Sequence, residues 1–292
     1  MNPSLVGSEM CIRDRYNTVV VGVAFSPNIQ ANVFEALRMS KMFNASLVMV
    51  HVGEKTNEKE TALDKIISSF DGAVPDYRVL WKAGNPAEVL LGACAGENAD
   101  LLILGAIKRE GLLKYYLGSV ARKLTRKAPC DVLLLIKPSV DRVACSSGVV
   151  NGLAHPKTEE AIDRAFYVLS SLGAQKLTIV EEIPEDSVAI KVDDDRSLRK
   201  STIAKERIKL RENSRVQGLL SHIPKSIKEN LEVVVQPIFG RRGYSIGHYA
   251  RVTRADLLVM NAPSKLTLWD RLFPHDLEYI LSDLPTDVLI VR

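Results

Sequence analysis

The sequence predicts an α/β protein of two tandem, doubly wound parallel sheets with five strands each. Three observations carry that prediction: strand-like apolar runs alternate with helical patterns, the strand runs are short and buried in character, and one unit is written twice. Ala99-Asp100-Leu101-Leu102 recurs as Ala255-Asp256-Leu257-Leu258 at an offset of 156, which also carries Gly84 onto Gly240, Pro129 onto Pro285 and Asp131-Val132-Leu133 onto Asp287-Val288-Leu289. The front ends align at an offset of 130, with Gly22 on Gly152, Ala24 on Ala154 and Leu47 on Leu177. The second copy therefore holds 26 extra residues, placed within about Pro184 to Leu231.

In the first copy Thr18 to Ala24 is a β-rich run, and residues 28–43 carry Val33, Ala36, Leu37 and Phe43 at helical spacing. Ser46 to Val52 is the second strand. Leu63, Ile66, Ile67 and Phe70 place a helix over 61–70, and Tyr77 to Lys82 forms the third strand. The next helix has a start signal: Asn85 can cap, Pro86 stands at the first helical position, and Glu88 follows three residues after the cap. That helix runs to about Asn98, followed by strand Asp100 to Leu104, a glycine-marked loop, a basic helix from about Gly118 to Lys127 and strand Asp131 to Ile136. Strict βαβ alternation with right-handed crossovers gives a parallel sheet covered on both faces.

The inserted segment reads as a basic helix spanning about Ser197 to His222, within a region of 195–224. From Arg196 to His222 there are eight Lys or Arg against two Glu, around a weak stripe of Leu198, Ile203, Ile208, Val216 and Leu219. A solvated helix packed on one side is the plainer reading; docking to an acidic partner or a membrane surface is the sharper one. Asp193-Asp194-Asp195 suits its N-terminus, where negative charge meets the helix dipole.

Bulk composition excludes several classes. With 46% hydrophobic and 25% charged residues and a formal charge of +4, the chain is neither disordered nor built for a polyanion, so no nucleic-acid partner is expected. No apolar run is long enough to span a bilayer. The four cysteines lack CxxC spacing, and a reducing cytoplasmic setting is the reading they support. Met10-Cys11-Ile12-Arg13-Asp14-Arg15 resembles a translated sequencing-adapter end, so residues 1–15 are set aside and the native chain is expected to begin near Tyr16. The expected domains are then 16–139 and 144–292.

Ligands of open parallel sheets bind at the carboxyl ends of strands, which directs attention to the loop after the fourth strand. There Gly105, Lys108, Gly111, Gly118 and Ser119 lie ahead of a helix whose amides can meet an anion. With Val50-His51-Val52 ending strand two, Gly84-Asn85-Pro86 opening a helix and Ala128-Pro129-Cys130-Asp131-Val132-Leu133 closing the unit, the chain resembles the universal stress protein family, twice over. The resemblance implies an adenine-nucleotide α-hydrolase-type fold and a Gly-x-x-Gly-x9-Gly-Ser site. It assigns phosphate contacts to Gly105, Gly118, Ser119 and Val120 and places Val52 against an adenine. Two departures stand out. Lys108 occupies the second glycine position, and Ala24 replaces the family's acidic residue after strand one. An ATP site in the first copy and a packed, empty loop both remain open.

The second copy departs further, with Asn261, Ser264, Pro274 and His275 at the motif positions. Proline removes an N–H donor where the phosphate cradle needs one, so this copy is expected to be structural or partner-binding. Trp269, Phe273 and His275 are its candidate partner contacts, against the plainer reading of a packed helix start. The histidines have no metal-ligand spacing, and no nucleophile elbow, P-loop or paired-carboxylate signature is present, so no catalytic residue and no metal is expected. The expected function is non-catalytic stress response with ATP bound in the first copy alone. The alternatives are a ligand-free regulatory module related to transporter-associated domains, and a weak ATPase. The last strands, Asp131 to Ile136 and Asp287 to Val291, are expected to pair as an intramolecular pseudo-dimer.

Overall fold

The computed structural model describes residues 16–108, 115–188, 190–228, 230–262 and 276–292. The first half contributes strands β1 (Thr18–Val23), β2 (Ser46–Val52), β3 (Tyr77–Lys82), β4 (Leu101–Gly105) and β5 (Asp131–Leu135). Its helices are α1 (Ile29–Phe43), α2 (Asn57–Ser68), α3 (Pro86–Gly96) and α4 (Ser119–Lys127). The second half contributes β6 (Ser147–Asn151), β7 (Lys176–Pro184), β8 (Glu232–Gly240), β9 (Leu257–Asn261) and β10 (Asp287–Val291). Helices α5 (Thr158–Leu172), α6 (Asp195–Leu220), α7 (Tyr244–Val252) and α8 (Asp276–Ser282) accompany them.

All ten strands form one sheet in the order β8-β7-β6-β9-β10-β5-β4-β1-β2-β3. Each half is parallel within itself and has the same doubly wound order, with its first strand between its second and fourth. The halves join edge to edge where β5 and β10 run antiparallel, with Leu133 facing Leu289. This pairing satisfies the backbone groups of two strands that would otherwise be exposed edges. Helices cover both faces, one over Val19, Leu101, Leu133, Val150 and Leu289 and the other over Val20, Leu102, Val132, Leu258 and Val288, all buried.

Strand register corrects the front-end alignment. Thr18 pairs with Ser46 in the first half and Ser147 with Lys176 in the second, so β6 lies 129 residues after β1, while β7 lies 130 after β2. Gly22 is therefore matched by Asn151 and Ala24 by Leu153, not by Gly152 and Ala154. The extra residue is Gln175, inserted after Ala174, the equivalent of Ala45; Gly173 before it has a left-handed φ of 78° that mirrors that of Asn44 at 54°. Leu47 pairs with Tyr77 and Leu177 with Val233, which restores the offset of 156 at β8.

Three helix starts are set by polar caps. Thr56 accepts the Lys59 N–H at 3.3 Å, so α2 starts at Asn57, four residues ahead of the start its apolar face marks. Asn85 accepts from Ala87 and Glu88 at 3.1 and 3.4 Å, with Pro86 opening α3. The Glu88 carboxylate turns to Lys123 instead of reaching back to the cap. Asp194 and Ser197 form a reciprocal capping box that starts α6. Near its C-terminus α6 packs through Val216 and Leu220 and nearer its start it buries Ser201, while Leu198 and Ile203 stay exposed. Among the described residues no helix is long and apolar enough to cross a membrane.

Candidate functional site

The carboxyl ends of β1, β2 and β4 converge with the start of α4 in the first half. Gly105 ends β4, and a Cβ there would lie 2.8 Å from Asn32 Oδ1, so the absent side chain lets the α1 carboxamide cover the strand end. Gly118 caps α4 without any side-chain acceptor, leaving its first-turn amides to other partners. Ser119 and Val120 follow, both exposed. Lys108 pairs through its backbone with Tyr115 in a short ladder that ties the two ends of the loop together; its side chain, like residues 109–114, lies outside the described residues. Val52, half-buried, ends β2.

His51, which the sequence presented only as a letter in a strand-end motif, is the structural centre of this edge. It is 7% exposed, and its ring packs edge-on against Phe25 and Trp81, both at 5.0 Å. Its Nδ1 lies 3.0 Å from the Val23 carbonyl; a carbonyl only accepts, so in the neutral ring Nδ1 carries the proton. Nε2 is then an acceptor, and it is buried with no partner among the described residues, as is Asn32 Oδ1. Gly53 beside it has φ 147°, and a Cβ there would meet Nε2 at 3.0 Å. Two unsatisfied acceptors at one strand edge are costly unless something donates to them.

The corresponding edge of the second half is occupied by charged side chains, with Glu181 Oε2 and Asn261 Oδ1 also buried without a partner among the described residues. At an offset of 130, His51 and Val52 become Glu181 and Glu182, both buried. Arg215, delivered by the inserted helix α6, donates to the Gly152 carbonyl and pairs with Glu181. Gly152 is the register equivalent of Val23, so one carbonyl position is satisfied by His51 in the first half and by a guanidinium in the second. Burial pushes the Glu181 carboxyl up to about 7, Arg215 opposing and Glu212 adding to the shift. Glu182 accepts the Gly243 and Ile246 N–H groups at 2.9 and 2.7 Å, capping α7 with a buried carboxylate. The candidate partner contacts Trp269, Phe273 and His275 lie outside the described residues.

The universal stress protein family model matches residues 15–135. A universal stress protein of Thermus aquaticus is 40% identical over 62 residues, which is 21% of this chain and 45% of that protein's length. A crystal structure of a functionally unknown Pseudomonas aeruginosa protein covers 95% of this chain and 93% of its own at 16% identity, with a TM-score of 0.68. That of a universal stress protein from Archaeoglobus fulgidus covers 96% and 97% at 16% identity, with a TM-score of 0.64. At such identity the two structures establish the shared two-unit fold.

Proposed function

We propose that the first half, whose residues 15–135 match the universal stress protein family model, binds an adenine nucleotide and that the second half does not. The chain then works as a non-catalytic, nucleotide-responsive regulator in the cytoplasm. The observation that carries this reading is the contrast between the halves. In the second half the Arg215 side chain and the buried Glu181 and Glu182 carboxyls occupy the edge, although Glu181 Oε2 and Asn261 Oδ1 there also lack partners among the described residues. In the first half His51 stands at the Glu181 position, and Asn32 Oδ1 and His51 Nε2 lie buried beside a helix start with no side-chain cap. In this reading the amides of Gly118, Ser119 and Val120 and the Ser119 hydroxyl meet phosphate, Gly105 lets the backbone approach, Lys108 adds charge, and Val52 lies beside the base. Ala24 offers no carboxylate, so the phosphates are held by amides and hydroxyl rather than through an ion at that position.

Titration with a fluorescent ATP analogue tests the proposal. We expect one nucleotide per chain, weaker binding in Ser119→Ala and in Asn32→Ala, and no added phosphate release over buffer. No saturable binding at millimolar analogue would overturn the nucleotide assignment while leaving the family and the fold in place.

A further inference from the structure

The seam between the halves has a pseudo-twofold axis at the Leu133–Leu289 pair, so residues equivalent under the duplication mirror one another. On one side Asp131 accepts the Arg292 N–H at 3.0 Å; on the other its equivalent, Asp287, accepts the Ile136 N–H at 2.8 Å. The surroundings of these two carboxylates differ. At Asp131 the Tyr16 hydroxyl donates at 2.7 Å, and the Arg164 Nε lies 3.0 Å away with its guanidinium 5.0 Å over the Tyr16 ring. At the offset of 129 that register gives, Tyr16 and Arg164 correspond to Cys145 and Glu35. A phenol has become a thiol, and a cation has become a second carboxylate.

The vacated volume persists as a cavity of about 450 Å³ along the seam, from Tyr16 to Asp287, with an apolar floor that includes Met39, Leu133, Leu172 and Leu289. That size suits a small organic ligand. Burial pushes the Asp287 carboxyl up to about 7; the Ile136 N–H opposes this, and Glu35 and Asp256 add to it. The nearby cations are spoken for or peripheral. Arg38 pairs with Glu35 at 3.1 Å and donates to the Ser139 and Val140 carbonyls, and Arg251 pairs with Asp283 at 3.1 Å. Lys137, Arg142 and Arg254 are exposed at the rim.

We infer that this cavity binds a small organic cation with an aromatic or apolar body. Its ammonium or amidinium group lies toward Asp287 and Glu35, and its body on the seam floor, replacing the phenol and guanidinium that fill the mirror position. The filled side is the template: it shows which chemistry a carboxylate in this setting accepts. The site is separate from the nucleotide edge and does not depend on it.

The test uses the full chain with tyramine, and with tyrosol, which keeps the body and exchanges the ammonium for a hydroxyl. By ligand-observed NMR and calorimetry, tyramine is expected to bind saturably, and tyrosol about tenfold more weakly, the loss expected when a charge-assisted contact is removed. Asp287→Asn, which keeps the acceptor for Ile136, should weaken tyramine by a similar factor. Cys145→Tyr, which restores the phenol of the mirror position and leaves the Glu35–Arg38 pair in place, should fill the cavity and abolish binding. Equal binding of the two probes, no saturable tyramine binding at millimolar concentration, or undiminished binding in Asp287→Asn would each overturn the assignment. Should the filled variant fail to fold, the probe pair and Asp287→Asn decide the matter.

Discussion

Replacing Arg215 with Ala tests whether the inserted helix exists to close the second half's strand edge. The side chain holds the Glu181 carboxylate and the Gly152 carbonyl, and through Nε it pairs with Glu212 at 3.0 Å. Glu181 already titrates at about 7 instead of 4.5 with Arg215 present. A carboxyl whose pKa is raised by folding takes up a proton as the chain folds. Its favourable contribution is present below pH 4.5 and lost as pH rises to about 7; ionising it costs about 3 kcal/mol at pH 8. Removing Arg215 takes away the groups that lower this pKa, so the additional penalty falls above pH 7. At pH 8 the variant should lose about 2 kcal/mol, below the full cost of orphaning a buried partner because Arg215 is part-exposed and Glu181 can take a proton instead. At pH 5.5 Glu181 is neutral in both proteins, and about 1 kcal/mol or less should remain for the lost carbonyl contact. Urea unfolding followed by far-ultraviolet circular dichroism at both pH values reads the difference. Adding Glu181→Leu to Arg215→Ala should recover most of the loss at pH 8. A destabilisation equal at the two pH values, or larger at pH 5.5, would refute the assignment of Arg215 as the partner of a buried charge.

Two further outcomes follow from the same geometry. Glu182→Ala leaves the Gly243 and Ile246 N–H groups without their acceptor and should cost about 2 kcal/mol in urea unfolding, with Glu182→Gln losing less; an unchanged midpoint would mean that the cap contributes nothing. Glu278→Arg places a third cation against Arg122 and Arg126, which now hold that carboxylate at 3.1 and 2.6 Å, and should lower stability by about 1 to 2 kcal/mol at low salt and by less at high salt; a loss independent of salt would point to packing instead of charge.

The fold was legible because its signals were local and redundant. The bounds of β2 and β3 follow from uninterrupted β-rich runs, and α3 from Asn85-Pro86. The start of α2 was hidden because residues 57–60 carry no apolar periodicity and are ordered by the Thr56 cap. The one-residue slip at β6 arose because Gly22-Val23-Ala24 and Gly152-Leu153-Ala154 match in letters, whereas strand register is set by cross-strand hydrogen bonds that letters do not record. At the candidate site, glycine spacing singled out Gly105 and Gly118 as candidates, but the position of Asn32 depends on a helix packing across a strand end. His51 carried no spacing signal of its own. The second edge did leave a trace: Glu181-Glu182 interrupts a largely apolar strand that runs on to Pro184, and two adjacent carboxyls in a buried run require partners from elsewhere.

That edge and the seam have a common origin in the loss of symmetry. Two identical units joined through their last strands would set Arg122 against its own copy across the axis, since Arg122 and Glu278 are equivalent positions at the offset of 156, and like charges there repel. In this chain the second copy supplies Glu278, so the contact attracts only when the two different halves meet. Arg164 and Glu35, and His51 and Glu181, are also equivalent positions that have diverged, although neither pair meets across the seam: one half carries a carboxylate where the other has a guanidinium or an imidazole. Fusion removes the requirement that both partners stay the same, because each half always meets the other and never itself. Stability at the seam can then favour complementary pairs, and the strand edge of one half can receive the side chain of an inserted helix while the other does not.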